Sequence, residues 1–313
     1  MITIRKYTPA LAAEWDALVK RSSSGTFLHE RAFMDYHSDR FDDYSLMAWD
    51  DDKVVALLPA CRKDDTLYSH AGLTYGGWLV PVKHFHADVL LQVMAAAVAF
   101  LRQDGVTSLI YKPVPHIYHQ CPADDDLYVL YRHNARLTAC NLSQAIDLDS
   151  RVPFDRGNKA SVNHAAAMGV SVRQTSDFAA FWQILEEVLL QRHNRRPVHT
   201  LDEITLLHSR FPANIELWGA YSGDTLVAGT VLFVTPRVVH SQYIAASEQG
   251  RRLKALPLLF DQVIDRAARQ GARYFDFGIS TEDAGRLLNV GLMQQKARMG
   301  GRGVVYNTYQ VKL

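Results

Sequence analysis

With 313 residues, 48% of them hydrophobic and 21% charged, the chain has the balance of a folded globular protein, which excludes a disordered tail or a fibre. Its 34 basic and 33 acidic side chains leave a formal net charge of +1, so the overall field exerts no strong pull toward nucleic acid or an anionic membrane. Cys61, Cys121 and Cys140 are widely spaced, odd in number and free of any Cys-x-x-Cys pair, against a disulfide framework or a structural zinc site.

In chain order, Ile2 to Tyr7 alternates like a strand, and Leu11 to Val19 and His29 to His37 have helical spacing. Leu46 to Trp49 and Val54 to Cys61 flank Asp50-Asp51-Asp52-Lys53, whose side chains favour a tight turn, so the pair reads as a hairpin. Tyr68 to Val80 reads as further strand around Gly76-Gly77. Leu90, Val93, Met94, Ala97, Val98 and Leu101 recur at three and four residues, the stripe of an amphipathic helix ending near Gly105. Strands are expected at Ser108 to Tyr111, Leu127 to Arg132 and Leu137 to Leu148.

The second half replays this order. A strand from Val170 to Arg173 leads into a helix carrying Phe178, Phe181, Trp182, Leu185, Val188 and Leu189. Thr200-Leu-Asp-Glu203 has capping-box spacing for the next helix, which Phe211-Pro212 closes. A hairpin then joins Ile215 to Tyr221 with Thr225 to Val234, followed by strand Val238 to Ala246 and a long helix from about Pro257 to Gln270.

The two halves also match locally: Ala48 to Ala56 lines up with Ala220 to Ala228, and Arg102-Gln-Asp-Gly105 with Arg269-Gln-Gly271. A tandem repeat follows, with one domain over residues 1–148 and a second over 149–313. The polar, Pro- and Gly-containing stretch Asp149 to Asn158 reads as the linker. The start of the chain lacks the apolar core of a secretory signal, and Val93 to Leu101 is too short to span a bilayer, so a cytoplasmic location without membrane insertion is expected.

The order strand, two helices, three antiparallel strands, long helix, strand, helix, final strands resembles the GNAT acyltransferase fold, and its doubling resembles the Fem-type peptidyltransferases. The pieces that carry the resemblance are Tyr274-Phe-Asp-Phe-Gly278, Gly291-Leu292 with Lys296, and the basic helix Lys159 to Gly169. The resemblance implies an α/β fold of two tandem GNAT-like domains, each a mixed, mostly antiparallel sheet flanked by helices, with the second as the catalytic one. It also implies acyl-CoA as donor substrate and a small amine acceptor: an amino sugar, amino acid or peptide, for instance in cell-surface polysaccharide synthesis. Fem-type enzymes that use aminoacyl-tRNA often carry a long helical hairpin for which this sequence leaves no room, so a tRNA donor ranks second. A non-catalytic binding module of the same fold is the third reading.

Candidate site residues follow from their places in these elements. Gln249, Gly250, Arg251, Arg252 and Lys254 lie where backbone N–H groups and the helix dipole favour a phosphate, with the cations adding charge-assisted contacts. Asp276 faces away from Phe275 and Phe277, near a strand end where a carboxylate can accept a proton or orient an amine. On strand Val238 to Ala246, His240 is a candidate base, and the edge at Tyr243 and Ile244 a candidate donor of N–H groups to the acyl oxygen. Lys296 completes the catalytic set, because in Fem-type proteins the similar lysine sits at the substrate cleft.

For the acceptor, Gln191 to His199 gathers Arg196, His199 and further cations into one loop, and His70, Tyr75 and Trp78 combine polar and aromatic groups with glycines, as an interdomain ligand cleft would require. His116, His119 and Cys121 complete no common zinc pattern, and no metal is expected.

Overall fold

In the computed structural model, which describes residues 1–83, 86–193 and 196–313, the chain forms two compact units. The first comprises Met1–Leu142, Thr281–Leu287 and Val305–Leu313, and the second Ser143–Ser280 and Leu288–Val304. The sequence sets a boundary at 148/149, whereas the chain leaves the first unit after Leu142, within a strand, and returns to it at Thr281–Leu287 and again at Val305–Leu313. Among the described residues no helix is long and apolar enough to cross a membrane.

In the first unit, β1 (Ile2–Lys6), β2 (Leu46–Asp50) and β3 (Lys53–Leu58) form an antiparallel sheet. The β2–β3 turn places Asp51 at φ 52°, a left-handed conformation that Asp tolerates better than most residues. β4 (Cys61–Lys63), β5 (Thr66–Tyr68) and β6 (Ser108–Tyr111) pair in sequence, and the end of β15 (Arg302–Lys312) adds antiparallel to β6. Helix α1 (Ala12–Arg21) buries Trp15, Leu18 and Val19, and the short α2 (Arg31–Met34) follows it. Helix α3 (Ala87–Gln103) buries Leu90, Val93, Met94, Ala97 and Leu101, the stripe read from the sequence, in a core with Leu46, Leu58, Leu67 and Leu109.

Two expectations fail here. Tyr68 to Val80 is strand only as far as Tyr68; beyond it the backbone makes isolated bridges, such as Leu57 to Leu79, because its glycines and turn residues break the alternation. Residues 127–132 are not a strand but belong to α4 (Asp125–Arg132). Asp124, Asp125 and Asp126 favour the positive end of that helix, Val129 and Leu130 form its buried face, and Asn134 at φ 53° turns the chain out of it.

In the second unit the end of β7 (Arg136–Asp147) pairs with β12 (Tyr274–Ile279), and β11 (Val238–Ala246), β10 (Thr225–Val234), β9 (Ile215–Ser222) and β8 (Val170–Thr175) follow in that order. Only β11 with β12 is parallel in this series. Helices α5 (Arg156–Ala167), α6 (Phe178–His193) and α7 (Leu201–Arg210) precede the β9–β10 hairpin. α7 begins with the expected capping box: Glu203 N–H donates to Thr200 Oγ1, and Thr200 N–H donates to the Glu203 carboxylate. The stretch read as a linker is partly packed, with Phe154 buried and Asp155 capping α5 through the Asn158 N–H.

After β11 come α8 (Glu248–Arg252) and α9 (Ala255–Arg269). α9 lays Leu258, Leu259, Val263, Ile264 and Ala267 on the sheet, and Phe260 packs edge-on against Phe275 and Phe277. The short pair β13 (Thr281–Glu282) and β14 (Leu287–Leu288) and helix α10 (Val290–Arg298) complete the chain before β15.

Candidate active site

The site grows from a fork in the second unit's sheet. β11 and β12 are paired only at Val238 with Tyr274, Val239 with Phe275 and His240 with Asp276. Two irregularities drive them apart beyond that point. On β11, Tyr243 faces Val231 and Ser241 faces Leu232, so Gln242 is an extra residue, a bulge that bends the strand. On β12, Asp276 faces Ala145 and Ile279 faces Ser143, so Phe277 and Gly278 together oppose one residue of β7. Among the described residues the register between β11 and β12 therefore ends at His240 and Asp276.

His240 and Asp276 sit at the apex of this fork, as the alternation of both strands requires. Nδ1 of His240 lies 2.8 Å from Oδ2 of Asp276, whose side chain is fully buried, while 13% of the His240 side chain stays accessible. Oδ1 of Asp276 accepts from Ser143 Oγ at 2.5 Å and from the Gly278 N–H at 3.2 Å. A carboxylate met by these donors accepts from Nδ1 of the imidazole, which leaves Nε2 as the ring nitrogen turned away from Asp276. Gly278 adopts φ 77°, and a Cβ there would lie 3.3 Å from His240 Cε1, so glycine serves both the backbone turn and the ring.

Lys296 is the buried residue of α10. Its Nζ donates to the carbonyl oxygens of Gly278 at 2.7 Å and Ile279 at 2.8 Å, pinning the bulged end of β12. Burial pulls its ammonium down to about 8, and the Asp276 carboxylate opposes that pull. The structure thus brings His240, Asp276 and Lys296 into one neighbourhood. It adds Ser143, which the sequence reading missed: a lone serine in an alternating strand carries no signal until β7 is known to lie beside β12.

The segment expected to meet a phosphate, Gln249 to Lys254, is largely helical. Residues 248–252 are helical because Ser247 caps them, accepting from the Gly250 N–H, and Gly250 is packed so tightly that a Cβ would lie 2.1 Å from Val227 O. Lys254 then turns through φ 55° into α9, with Pro257 in its first turn and no side chain capping its start. Arg251 Nη1 donates to Ala246 O at 2.9 Å, and Arg252 pairs with Glu248 on the surface. Gln249 belongs to the same short helix.

Tyr243 and His199, expected in separate roles, touch: the His199 N–H donates to Tyr243 Oη at 3.1 Å, and Nδ1 lies 2.6 Å from that oxygen. Ile244 is half-buried beyond Tyr243 on the same strand. Arg196 is exposed; Asn194 and Arg195 of that loop, and the side chains of Arg192 and His193, lie outside the described residues. In the first unit His70, Tyr75 and Trp78 are all buried, His70 stacked on His37 with ring centroids 5.1 Å apart and Trp78 within the core. His119 Nε2 lies 2.8 Å from Val114 O, and among the described residues no group of His, Cys, Asp and Glu side chains could hold a metal ion.

Residues 157–284 match the family model described as acetyltransferase (GNAT) domain. Among solved structures, FemX shares the fold over 99% of this chain and 97% of its own, with a TM-score of 0.71 and 13% identity. The L-PGS structure from Bacillus licheniformis aligns over 97% of this chain and 92% of its own, with a TM-score of 0.63 and 13% identity. A tandem GNAT protein from the clavulanic acid biosynthesis pathway aligns over 100% and 98%, with a TM-score of 0.53 and 14% identity. At such identities the likeness is one of fold. No curated protein matches the chain.

Proposed function

On the premise of a GNAT acyltransferase domain within a tandem, Fem-type fold, we propose that this protein is an N-acyltransferase that moves an acyl group from acyl-CoA to an amine, with the fork at His240 and Asp276 as the reacting centre. The carrying observation is that the strand pairing stops at the very pair in which a buried carboxylate orients an accessible imidazole. Donor amides would extend along β11 beyond the fork, at Tyr243 and Ile244. The donor's phosphates would meet the first turn of α9, with Gln249, Gly250, Arg251, Arg252 and Lys254 beside it.

In this reading the acceptor nitrogen attacks the thioester carbonyl carbon, forming the C–N bond as the C–S bond breaks. Nε2 of His240 takes the proton that nitrogen loses, the imidazolium is stabilised by Asp276, and the sulfur leaves as thiolate and is then protonated. N–H groups on the edge of β11 beyond His240 would face the oxygen as charge develops on it. Lys296 fixes the opposite wall by holding the carbonyls of Gly278 and Ile279. Amino sugars, amino acids and peptides are the proposed acceptors, in the cytoplasm, with surface-polysaccharide synthesis as one setting.

Free-thiol release from a series of acyl-CoA esters with a panel of amines tests this, alongside calorimetry of coenzyme A binding. No CoA binding by the folded protein would count against the donor. The fold shared with FemX and L-PGS favours a second reading, aminoacyl transfer from charged tRNA. Activity destroyed by ribonuclease and indifferent to CoA esters would put that reading first.

A further inference from the structure

We propose that the first unit carries a binding groove of its own for a small phosphorylated anion with an apolar or aromatic body, of the nucleoside diphosphate kind. Backbone bonds build the groove: Ser23 N–H donates to Val80 O at 2.9 Å and Val82 N–H to Arg21 O at 3.1 Å, so the end of α1 runs beside residues 80–82. Together with the start of β3 they enclose a cavity of about 580 Å³, in the size range of small-molecule sites.

The lining divides by chemistry. Val54, Val55 and Val82 give it apolar walls, and Arg21, Lys53 and Lys83 supply three cations. Among the described residues neither lysine makes an ion pair, and Arg21 makes only a long 3.4 Å bond from Nη2 to Val54 O. The lining holds one carboxylate, Asp50, against these three cations. In a chain whose 34 cations and 33 anions nearly cancel, three cations against one carboxylate around one concavity call for a ligand with two or three negative charges. A diphosphate has that charge, the Arg21 fork suits its oxygens, and a ring or short chain would cover the valines.

A free nucleotide and the ADP portion of coenzyme A share this chemistry, so the experiment separates them. Calorimetry on the full chain uses ADP, coenzyme A and inorganic pyrophosphate as probes, with wild type, the double variant Lys53→Ala/Lys83→Ala, and the double variant Arg252→Ala/Lys254→Ala in the second unit. ADP binding should weaken with added salt, fall at least tenfold in the first variant and persist in the second. Both lysines of the first variant are exposed, so circular dichroism should show an unchanged fold. No ADP binding by wild type, equal binding of pyrophosphate and ADP, or ADP binding lost only in the second variant would overturn the proposal. None of these outcomes depends on acyl transfer.

Discussion

His240 and Asp276 are at once the last register pair joining β11 to β12 and a hydrogen-bonded pair, with Nδ1 2.8 Å from Oδ2. The coincidence has a physical cause. Parallel neighbours present paired side chains on one face of the sheet, so wherever two strands begin to part, the final pair stands at the mouth of the gap. Its buried member is solvated by protein donors, and its accessible member is left to act on whatever enters.

Ser143 is expected to matter through Asp276. Its hydroxyl is a fully buried donor to Oδ1, and a hydrogen bond to a charged group is worth roughly 1.5–3 kcal/mol. Ser143→Ala should lower stability by about that amount in urea unfolding. Under the proposed function it should reduce kcat about tenfold while leaving the KM for the donor in place, since no donor contact is removed. A fall in KM-dependent terms alone would assign Ser143 to binding instead.

Lys296 makes a prediction with a defined sign. Its folded-state value of about 8 lies below the ordinary 10.5, so between those values the unfolded chain holds a proton that the folded chain has released. Stability therefore rises with pH across this window, and below it the cost of the buried charge is present in full. The stability of wild type relative to Lys296→Met should climb by about 3 kcal/mol from pH 8 to pH 10.5. A difference that stays flat over that range would mean the ammonium is not desolvated.

The first unit has the corresponding acid weakness. Burial lowers His29 to about 4 and His70 to about 3 from an ordinary 6.5, the neighbouring His37 adding to the effect at His70. Between those values and 6.5 the unfolded chain binds protons the folded chain refuses, so stability drops as the solution is acidified. His70→Asn keeps a residue that tolerates its φ of 58° and should remove part of the acid loss, about 4 kcal/mol at most near pH 3. An unfolding curve of the variant that follows wild type down to pH 3 would show that His70 takes up its proton as readily in the folded chain as in the unfolded one.

Legibility in the sequence followed the range of the interactions. The stripe of α3, a long helix over most of α9, the Thr200 capping box and the β9–β10 hairpin are set by neighbours within a few residues, and each was readable. His240 and Asp276 were readable as candidates from their chemistry on their strands, and Lys296 from the Fem-type resemblance. Their meeting was not, because 36 residues separate His240 from Asp276 and only the sheet order joins them. Short apolar runs misled where period cannot decide: Leu127 to Arg132 became a helix through its three leading aspartates. The helical turn from Glu248 to Arg252 was hidden by the glycine and basic residues that suggested an open loop.

The most direct test is the rate of free-thiol release from an acyl-CoA ester, with a competent amine, for wild type, Asp276→Asn and His240→Gln. Calorimetry of coenzyme A binding to the same three proteins runs beside it. Loss of a positioned base is expected to cost on the order of 10²–10⁴ in turnover, with coenzyme A bound equally well by all three. Full turnover in His240→Gln would contradict the assignment of the reacting centre to the fork between β11 and β12.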